Sequence, residues 1–183
     1  MIEEVIRRRR SVYPKQYNDK PVDTEVIRRL LQAAVCAPTH KRTEPWRFKV
    51  LQGDSRRRLG EFLQGKYLEM DPTPKQFKAR KLLENPQKAG AVIAICMQRD
   101  PQERLPEWEE IAATAMAVQN IWLTCTELGL GGYWSSPGLI RYMDEFFELA
   151  EGERCLGFFY LGYYDEQVEE VPRVDAESRT QWL

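Results

Sequence analysis

The spacing of apolar residues predicts several helices along the chain. Apolar positions recur every three or four residues at 2–6, at 26–35 and, over the longest stretch, at 108–128. This spacing places the apolar side chains on one face of a helix, the face that packs on a core. Asp23 or Thr24 can cap the second of these helices, and the sequence GLGG ends the longest. Weaker patterns predict further helices at 55–63, 75–84 and 137–149.

Four segments have the composition of β-strands. Residues 91–97, AVIAICM, are a continuous apolar run, which is typical of a strand buried on both faces. Residues 47–53 alternate between apolar and polar side chains, LGFFYLGYY at 156–164 predicts the last core strand, and a short strand is predicted at 133–136. Because the chain shows no repeat, low-complexity stretch or linker, we predict one α+β domain over residues 1–183.

Composition and charge narrow the class of protein. Of the 183 residues, 43% are hydrophobic and 30% are charged, a balance typical of a globular domain with its own core. The formal net charge of -1 argues against general binding to nucleic acid or acidic membranes, because those partners require a wide basic surface. No apolar run approaches the ~20 residues of a membrane span, and the N-terminus lacks the apolar segment of a secretory signal. We therefore expect a cytoplasmic protein.

Cysteine and histidine usage predicts no metal site. The four cysteines, Cys36, Cys96, Cys125 and Cys155, are far apart in the sequence, and none belongs to a CxxC pair. This pattern favours buried free thiols in a reducing compartment over a zinc site or a redox dithiol. His40 is the only histidine, and no GxSxG motif accompanies it. The residues therefore predict neither a bound metal nor a catalytic residue supplied by the protein.

Four consecutive arginines, at 7–10, precede Ser11 where the first helix is expected to end. Arginine forms forked hydrogen bonds to phosphate oxygens, and a serine hydroxyl can add another, so this run is a candidate phosphate site. Basic residues also suit the C-terminal end of a helix, and we interpret Arg7 and Arg8 as serving the helix end and solvent. No GxGxxG or GxxxxGK[ST] motif is present, so the sequence lacks the glycine-rich cradle of common nucleotide sites.

Four segments, in their order and spacing, resemble the nitroreductase family along essentially the whole chain. They are the arginine–serine run, APTHKRTEPWRF at 37–48, the long helix ending in ELGLGGYW, and the strand LGFFYLGYY. The likeness is greatest to the compact bacterial subgroup with APxHK and with EPW or QPW at this place. The resemblance implies a central, mostly antiparallel sheet flanked by helices, in a homodimer that holds FMN at its interface. An apolar long helix and a tail ending in Trp182 and Leu183 also favour a homodimer.

The resemblance implies which residues hold the FMN phosphate. The family's R-[RH]-S run grips this phosphate, and Arg9, Arg10 and Ser11 match that run. A basic residue of the C-terminal tail often completes the phosphate site in the family, and Arg173 is its counterpart here. These four residues are therefore the expected phosphate contacts.

The resemblance also implies contacts to the flavin ring. The histidine of APxHK lies at the flavin in the compact subgroup and matches His40, although a single histidine is as readily a hydrogen-bonded structural residue. The stretch after GLGG lies along the flavin and matches Trp134, Ser135 and Ser136. At residue 135 a relative has arginine instead of serine, which bears on how the ring or the substrate is held.

One further position departs from the family pattern. Many relatives have a basic residue two positions after the serine, near the flavin N1–C2=O edge. This chain has Tyr13 there, and Lys15 is the alternative cation for that contact.

The function implied by the resemblance is that of an NAD(P)H-dependent flavin oxidoreductase. NADH or NADPH would give a hydride to flavin N5, and a nitro compound, quinone, aldehyde or enone would then be reduced in the same slot by a ping-pong mechanism. Such chemistry belongs to the cofactor and needs no protein nucleophile. Two other hypotheses are an FMN-binding protein without turnover, with a regulatory or storage role, and a nucleic-acid or acidic-partner module that uses the arginine run.

Overall fold

A four-stranded antiparallel sheet lies between two layers of helices in the computed structural model, which describes residues 1–165, 169 and 171–183. The strand order is β1–β2–β4–β3. The two central strands, β2 and β4, are also the two longest. The strands are β1 (Trp46–Leu51), β2 (Ala91–Gln98), β3 (Leu130–Ser135) and β4 (Glu153–Tyr163).

Five α-helices and four short 3₁₀ helices complete the described part of the chain. The α-helices are α1 (Ile2–Arg8), α2 (Thr24–Ala34), α3 (Asp54–Met70), α4 (Gln76–Lys88) and α5 (Glu107–Glu127). The 3₁₀ helices are Pro14–Gln16, His40–Arg42, Gly138–Glu145 and Ala176–Arg179. Among the described residues, none of the helices is both long enough and apolar enough to cross a membrane.

Strand β2 divides the hydrophobic core into two halves. Its Ile93 and Ile95 pack with α2 and α5, whereas Val92 and Ala94 pack with α3 and α4. Successive side chains of a strand point to opposite faces, so a strand covered by helices on both sides must be apolar at every position. The continuous apolar run at 91–97 is thereby explained, and the prediction of a buried strand is confirmed.

Three predicted helices differ from the structure in length or type, and one of them is α4, which runs to Lys88 instead of ending at residue 84. Helix α3 continues past the predicted end at residue 63, because Leu63 and Tyr67 extend its buried face by another turn. The predicted α-helix at 137–149 is wrong, since this segment is the 3₁₀ helix Gly138–Glu145. It buries only two side chains, which is too narrow an apolar face to stabilise a longer α-helix.

The GLGG sequence is only partly a helix end. Gly129 has a φ of +71° and follows α5, as expected for a residue that terminates a helix in the left-handed region. Gly131 and Gly132 instead belong to β3. A Cβ atom at Gly132 would lie 2.5 Å from a ring carbon of Phe159, so this strand packs on β4 more closely than any side chain allows.

The cysteines are free thiols, but the prediction that all four are buried is wrong for Cys36. Cys36 lies just beyond α2, exposed, where its thiol donates a hydrogen bond to the Gln32 carbonyl oxygen over 3.3 Å. Cys96 and Cys155 lie opposite each other on β2 and β4, a pairing that their sequence separation did not suggest.

Candidate functional site

The segment after α1 crosses the sheet edge beside β3. Ser11 forms a parallel bridge with Gly132, and the Val12 amide donates to the Gly132 carbonyl oxygen over 3.1 Å. A Cβ atom at Gly131 would lie 2.7 Å from Cβ of Val12, so only glycine lets this segment pass. The arginine–serine run and the strand that ends in Trp134 are thereby brought together across about 120 positions of sequence.

The three arginines predicted to hold a phosphate lie close together. The Arg9 guanidinium carbon lies 4.7 Å from the centre of the Trp122 ring, and the Trp122 indole N–H donates to the Arg10 carbonyl oxygen over 3.2 Å. Arg173 donates to the Arg9 carbonyl oxygen over 3.2 Å, which ties the C-terminal tail to the end of α1. Trp122 was not predicted as a site residue, because on α5 its spacing is that of an ordinary core position.

This arginine cluster has positive charge without a compensating carboxylate among the described residues. Burial, together with the positive charges of Arg173 and Arg10, lowers the pKa of the Arg9 guanidinium. The Nε–H group of Arg10 is buried and has no hydrogen-bond partner among the described residues. No ion pair of the described chain involves any of the three arginines. A buried N–H group without a partner costs about 1–3 kcal/mol, so the cluster is suited to receive an anion.

A cavity of about 430 Å³ opens beside the cluster, and its lining includes more of the run than we predicted. Arg8 forms a 3.8 Å ion pair with Glu127 at the end of α5, which agrees with a role at a helix end. Arg7 and Arg8 nevertheless both line the cavity. That Arg9 and Arg10, and not Arg7 and Arg8, hold the phosphate therefore stays a prediction. The cavity is lined by Arg7, Arg8, Arg10, Val171, Pro172 and Arg173.

His40 lies in a strained turn that packs on the start of α5. Its Nδ1 atom lies 2.7 Å from Oε2 of Glu109, and its side chain is 60% exposed. Lys41, Arg42 and Glu44 all have left-handed backbone conformations, with φ of 51°, 52° and 44°. Each such residue costs of the order of 1–3 kcal/mol, and conformations of this kind concentrate at functional sites. The hydrogen bond to Glu109 fits the structural interpretation of His40 as well as the flavin one.

His40 and the arginine cluster lie at opposite ends of α5. Glu109, the partner of His40, and Trp122, the partner of Arg9, are separated by about 20 Å along the helix axis at a rise of 1.5 Å per residue. One chain therefore brings Arg9, Arg10, Ser11 and Arg173 together but leaves His40 apart from them.

Trp134, Ser135 and Ser136 end β3 and continue beyond it. The Trp134 indole N–H is buried without a hydrogen-bond partner among the described residues. Its ring crosses the backbone of Gly157, where a Cβ atom would lie 2.4 Å from the indole nitrogen. Ser135 pairs with Phe158 on β4, and Ser136 is exposed just after the strand. This strand end therefore offers an unpaired donor next to two hydroxyl groups.

A second cavity, of about 580 Å³, is lined in part by Tyr13, two residues after Ser11. The Tyr13 ring lies 4.6 Å from the ring of Tyr133 on β3, so this cavity and the strand share a wall. Lys15, the alternative cation suggested by the sequence, also lines it. Sequence reasoning did not identify the residues that α4 contributes, since a polar helix face carries no signal of a cavity. The lining is Tyr13, Pro14, Lys15, Phe77, Arg80, Lys81, Glu84, Asn85 and Lys88.

Known proteins with similar sequence or structure support the same family. The curated "Putative NAD(P)H nitroreductase YfhC" of Bacillus subtilis (strain 168) is 29% identical over 182 residues, which cover 98% of this chain and 92% of that protein. A crystal structure of a nitroreductase-like family protein from Bacillus cereus, also 29% identical, matches 100% of this chain and 96% of its own with a TM-score of 0.87.

A protein of Desulfovibrio desulfuricans, solved in complex with FMN, has the same fold with a TM-score of 0.75 at 23% identity, over 97% of this chain and 94% of its own. The predicted nitroreductase-like α+β fold is therefore confirmed. The sequence model of the Nitroreductase family matches residues 6–163, so this chain belongs to the nitroreductase family, and the predicted class of enzyme, an oxidoreductase, is confirmed at the level of the family.

Proposed function

We propose that this chain is an FMN-dependent oxidoreductase that uses NADH or NADPH to reduce a small acceptor. The observation that carries the proposal is the cluster of Arg9, Arg10 and Arg173 beside Ser11, which has positive charge and donors but no carboxylate partner among the described residues. When bound, FMN supplies the hydride chemistry, whereas the protein supplies binding, orientation and electrostatics.

The donors of the site fit the two chemically different ends of FMN. Arg9, Arg10, Arg173 and the Ser11 hydroxyl would hold the phosphate, and the unpartnered Nε–H of Arg10 would find its acceptor there. At the other end, the unpartnered indole N–H of Trp134 suits an oxygen or nitrogen acceptor of a flavin ring. Ser135 and Ser136 add hydroxyl groups to the same strand end.

The protein's part in the reaction is electrostatic. Lys15 and Tyr13 both line the 580 Å³ cavity. Lys15 is therefore the cation that would stabilise negative charge at the N1–C2=O edge of a reduced ring. Tyr13, packed on Tyr133, would support one face of that edge. No nucleophile or general acid of the protein is assigned, and the reaction follows the ping-pong order because donor and acceptor use one slot in turn.

The site is completed, we propose, by a second copy of the chain in a homodimer. Every residue of the tail from 171 to 183 is exposed, including Trp182 at 79%. Trp108 and Met116 leave large apolar side chains exposed on α5. A partner chain would cover these surfaces, and it would bring its own copy of His40 towards the cofactor. Obligate interfaces of this kind typically exceed ~2,000 Å².

The cofactor and the activity are tested together on the purified protein. We expect a yellow protein whose heat-released cofactor migrates as FMN, and parallel lines in double-reciprocal plots with NADH or NADPH and a quinone. A colourless protein that takes up no added FMN would contradict the proposal. Bound FMN without oxidation of either nicotinamide by any acceptor would instead identify a flavin-binding protein without turnover.

The dimer is tested with the exposed tail. Trp182→Ala is expected to raise the dimer dissociation constant by roughly thirtyfold or more, because an aromatic anchor at an interface is typically worth at least ~2 kcal/mol. Gln181→Ala, the neighbouring polar residue, is the matched control and should leave the constant nearly unchanged. Light scattering as a function of concentration measures both. A full-length chain that stays monomeric with FMN bound would rule out the dimer.

A further inference from the structure

The 580 Å³ cavity between the 3₁₀ helix Pro14–Gln16 and α4 has the size of a site for a small organic molecule. Its charge is unusual for a protein with a net charge of -1, since four cationic side chains and a single carboxylate line it. A concave surface of one sign concentrates the potential and attracts ligands of the opposite sign.

The single carboxylate of the cavity is already neutralised. Glu84 accepts hydrogen bonds from Lys88, over 2.6 Å, and from Arg80, and these contacts lower the pKa of Glu84. Glu84 therefore stays ionised and is shared between two cations. Lys15 and Lys81 form no ion pair within the described part of the chain, so their charges are available to a ligand.

Two aromatic rings face the same space as these lysines. Phe77 is 80% exposed on α4, and Tyr13 is 43% exposed on the opposite wall. An exposed phenylalanine ring contributes little to the stability of the folded chain, because it is not buried. It can, however, stack on a planar ligand that enters the cavity. Aromatic walls together with unpaired cations match a planar aromatic molecule that has an anionic group.

The cavity adjoins the proposed cofactor site. Tyr13 follows Ser11 by two residues, and a chain spans at most about 3.6 Å per residue, so their Cα atoms lie within about 7 Å. The stacking of Tyr13 on Tyr133 joins the cavity to β3, the strand that ends in Trp134.

We propose that this cavity is the acceptor pocket and that it selects planar aromatic acceptors that have a carboxylate or similar anion. Lys81 holds the anion, Lys15 stays with the flavin edge, and Phe77 covers the ring. The assignment rests on the proposed flavin-dependent function. For the probe 4-nitrobenzoate, the nitro group takes up two electrons and two protons and loses water to become a nitroso group. NADH or NADPH supplies the hydride, and solvent supplies the second proton.

The test compares 4-nitrobenzoate with its neutral counterpart 4-nitrobenzamide as acceptors for the FMN-loaded protein. We expect kcat/KM for the anion to exceed that for the amide about tenfold at low salt, and added salt should reduce the ratio by screening. Lys81→Ala should lower the ratio about tenfold, mainly through KM for the anion, and Lys81→Arg should restore most of it. Lys78→Ala is the matched control, because Lys78 lies on the same helix over the Tyr67 ring and outside the cavity.

A binding measurement separates this proposal from the flavin proposal. Calorimetric titration with benzoate and benzamide, which are not reduced, should show tighter binding of benzoate that Lys81→Ala abolishes. This result is readable even if the protein holds no FMN. Equal kcat/KM for the two nitro compounds, with equal binding of benzoate and benzamide, would overturn the proposal. A Lys81→Ala change that alters only the preference for NADPH over NADH would also overturn it, because the cations would then serve the donor's extra phosphate.

Discussion

Replacing Arg9 with alanine is expected to weaken FMN binding by about ten- to a hundredfold, because a charge-assisted hydrogen bond contributes about 1.5–3 kcal/mol. Arg9 is held over the Trp122 ring and lies near Arg173 and Arg10. Packing of this kind restricts the guanidinium before a ligand arrives, so little side-chain entropy is lost on binding. Fluorescence titration of the apoprotein with FMN measures the change.

Arg7→Ala is the matched control from the same run. Arg7 is exposed, and an exposed charge contributes about 0–1 kcal/mol, so the affinity for FMN should change little. Arg7 also faces the 430 Å³ cavity, which makes the comparison informative. A loss equal to that of Arg9→Ala would overturn the assignment within the run, because Arg7 would then contact the phosphate as well. If neither change weakened binding, Arg173 would be the next residue to replace.

Replacing Arg99 with alanine is expected to lower the free energy of unfolding by about 3–5 kcal/mol, the usual effect of removing one partner from a buried ion pair. Glu110, on α5, is completely buried, and its Oε2 atom accepts a hydrogen bond from Arg99. Its Oε1 atom accepts from the Asp100 amide over 2.9 Å. Without Arg99 the buried carboxylate keeps only this second partner. Urea denaturation followed by circular dichroism measures the loss.

Arg154→Ala is the control, because Arg154 pairs over 2.8 Å with Glu107 in the first turn of the same helix. Both of those side chains are about half exposed, so the expected loss is only about 0–1 kcal/mol. The double variant Arg99→Met with Glu110→Leu should regain most of the stability, since an apolar pair of similar volume removes the unpaired charge. Equal losses for Arg99→Ala and Arg154→Ala would show that burial of the pair is not the cause.

The helices and strands with strong local patterns were predictable from the sequence. The run at 91–97 is apolar at every position because helices cover both faces of β2. The stripe at 26–35 repeats every three or four residues because α2 has one buried face. The 3₁₀ helix Gly138–Glu145 was mistaken for an α-helix because a few apolar residues at helical spacing do not distinguish the two.

The structural role of two glycines is explained only by contacts with residues distant in sequence. The sequence predicts a helix end at GLGG, and this holds for Gly129, whose positive φ is a local property. The reason for Gly131 and Gly132 is the close approach of Val12 and Phe159, residues far away in sequence. A local pattern contains no information about such an approach.

For the candidate site, the sequence by itself determined the chemistry available and not its placement. The arginine run with Ser11 predicts an anion site because guanidinium and hydroxyl groups have fixed donor patterns whatever the fold. Only the tertiary structure brought Arg173 to Arg9 and placed Phe77 and Lys81 in one cavity with Tyr13. It also put the α5 partners of His40 and Arg9 about 20 Å apart along that helix. Contacts between residues distant in sequence depend on how the sheet and the helices pack on each other. The periodicity of a single segment gives no information about that packing.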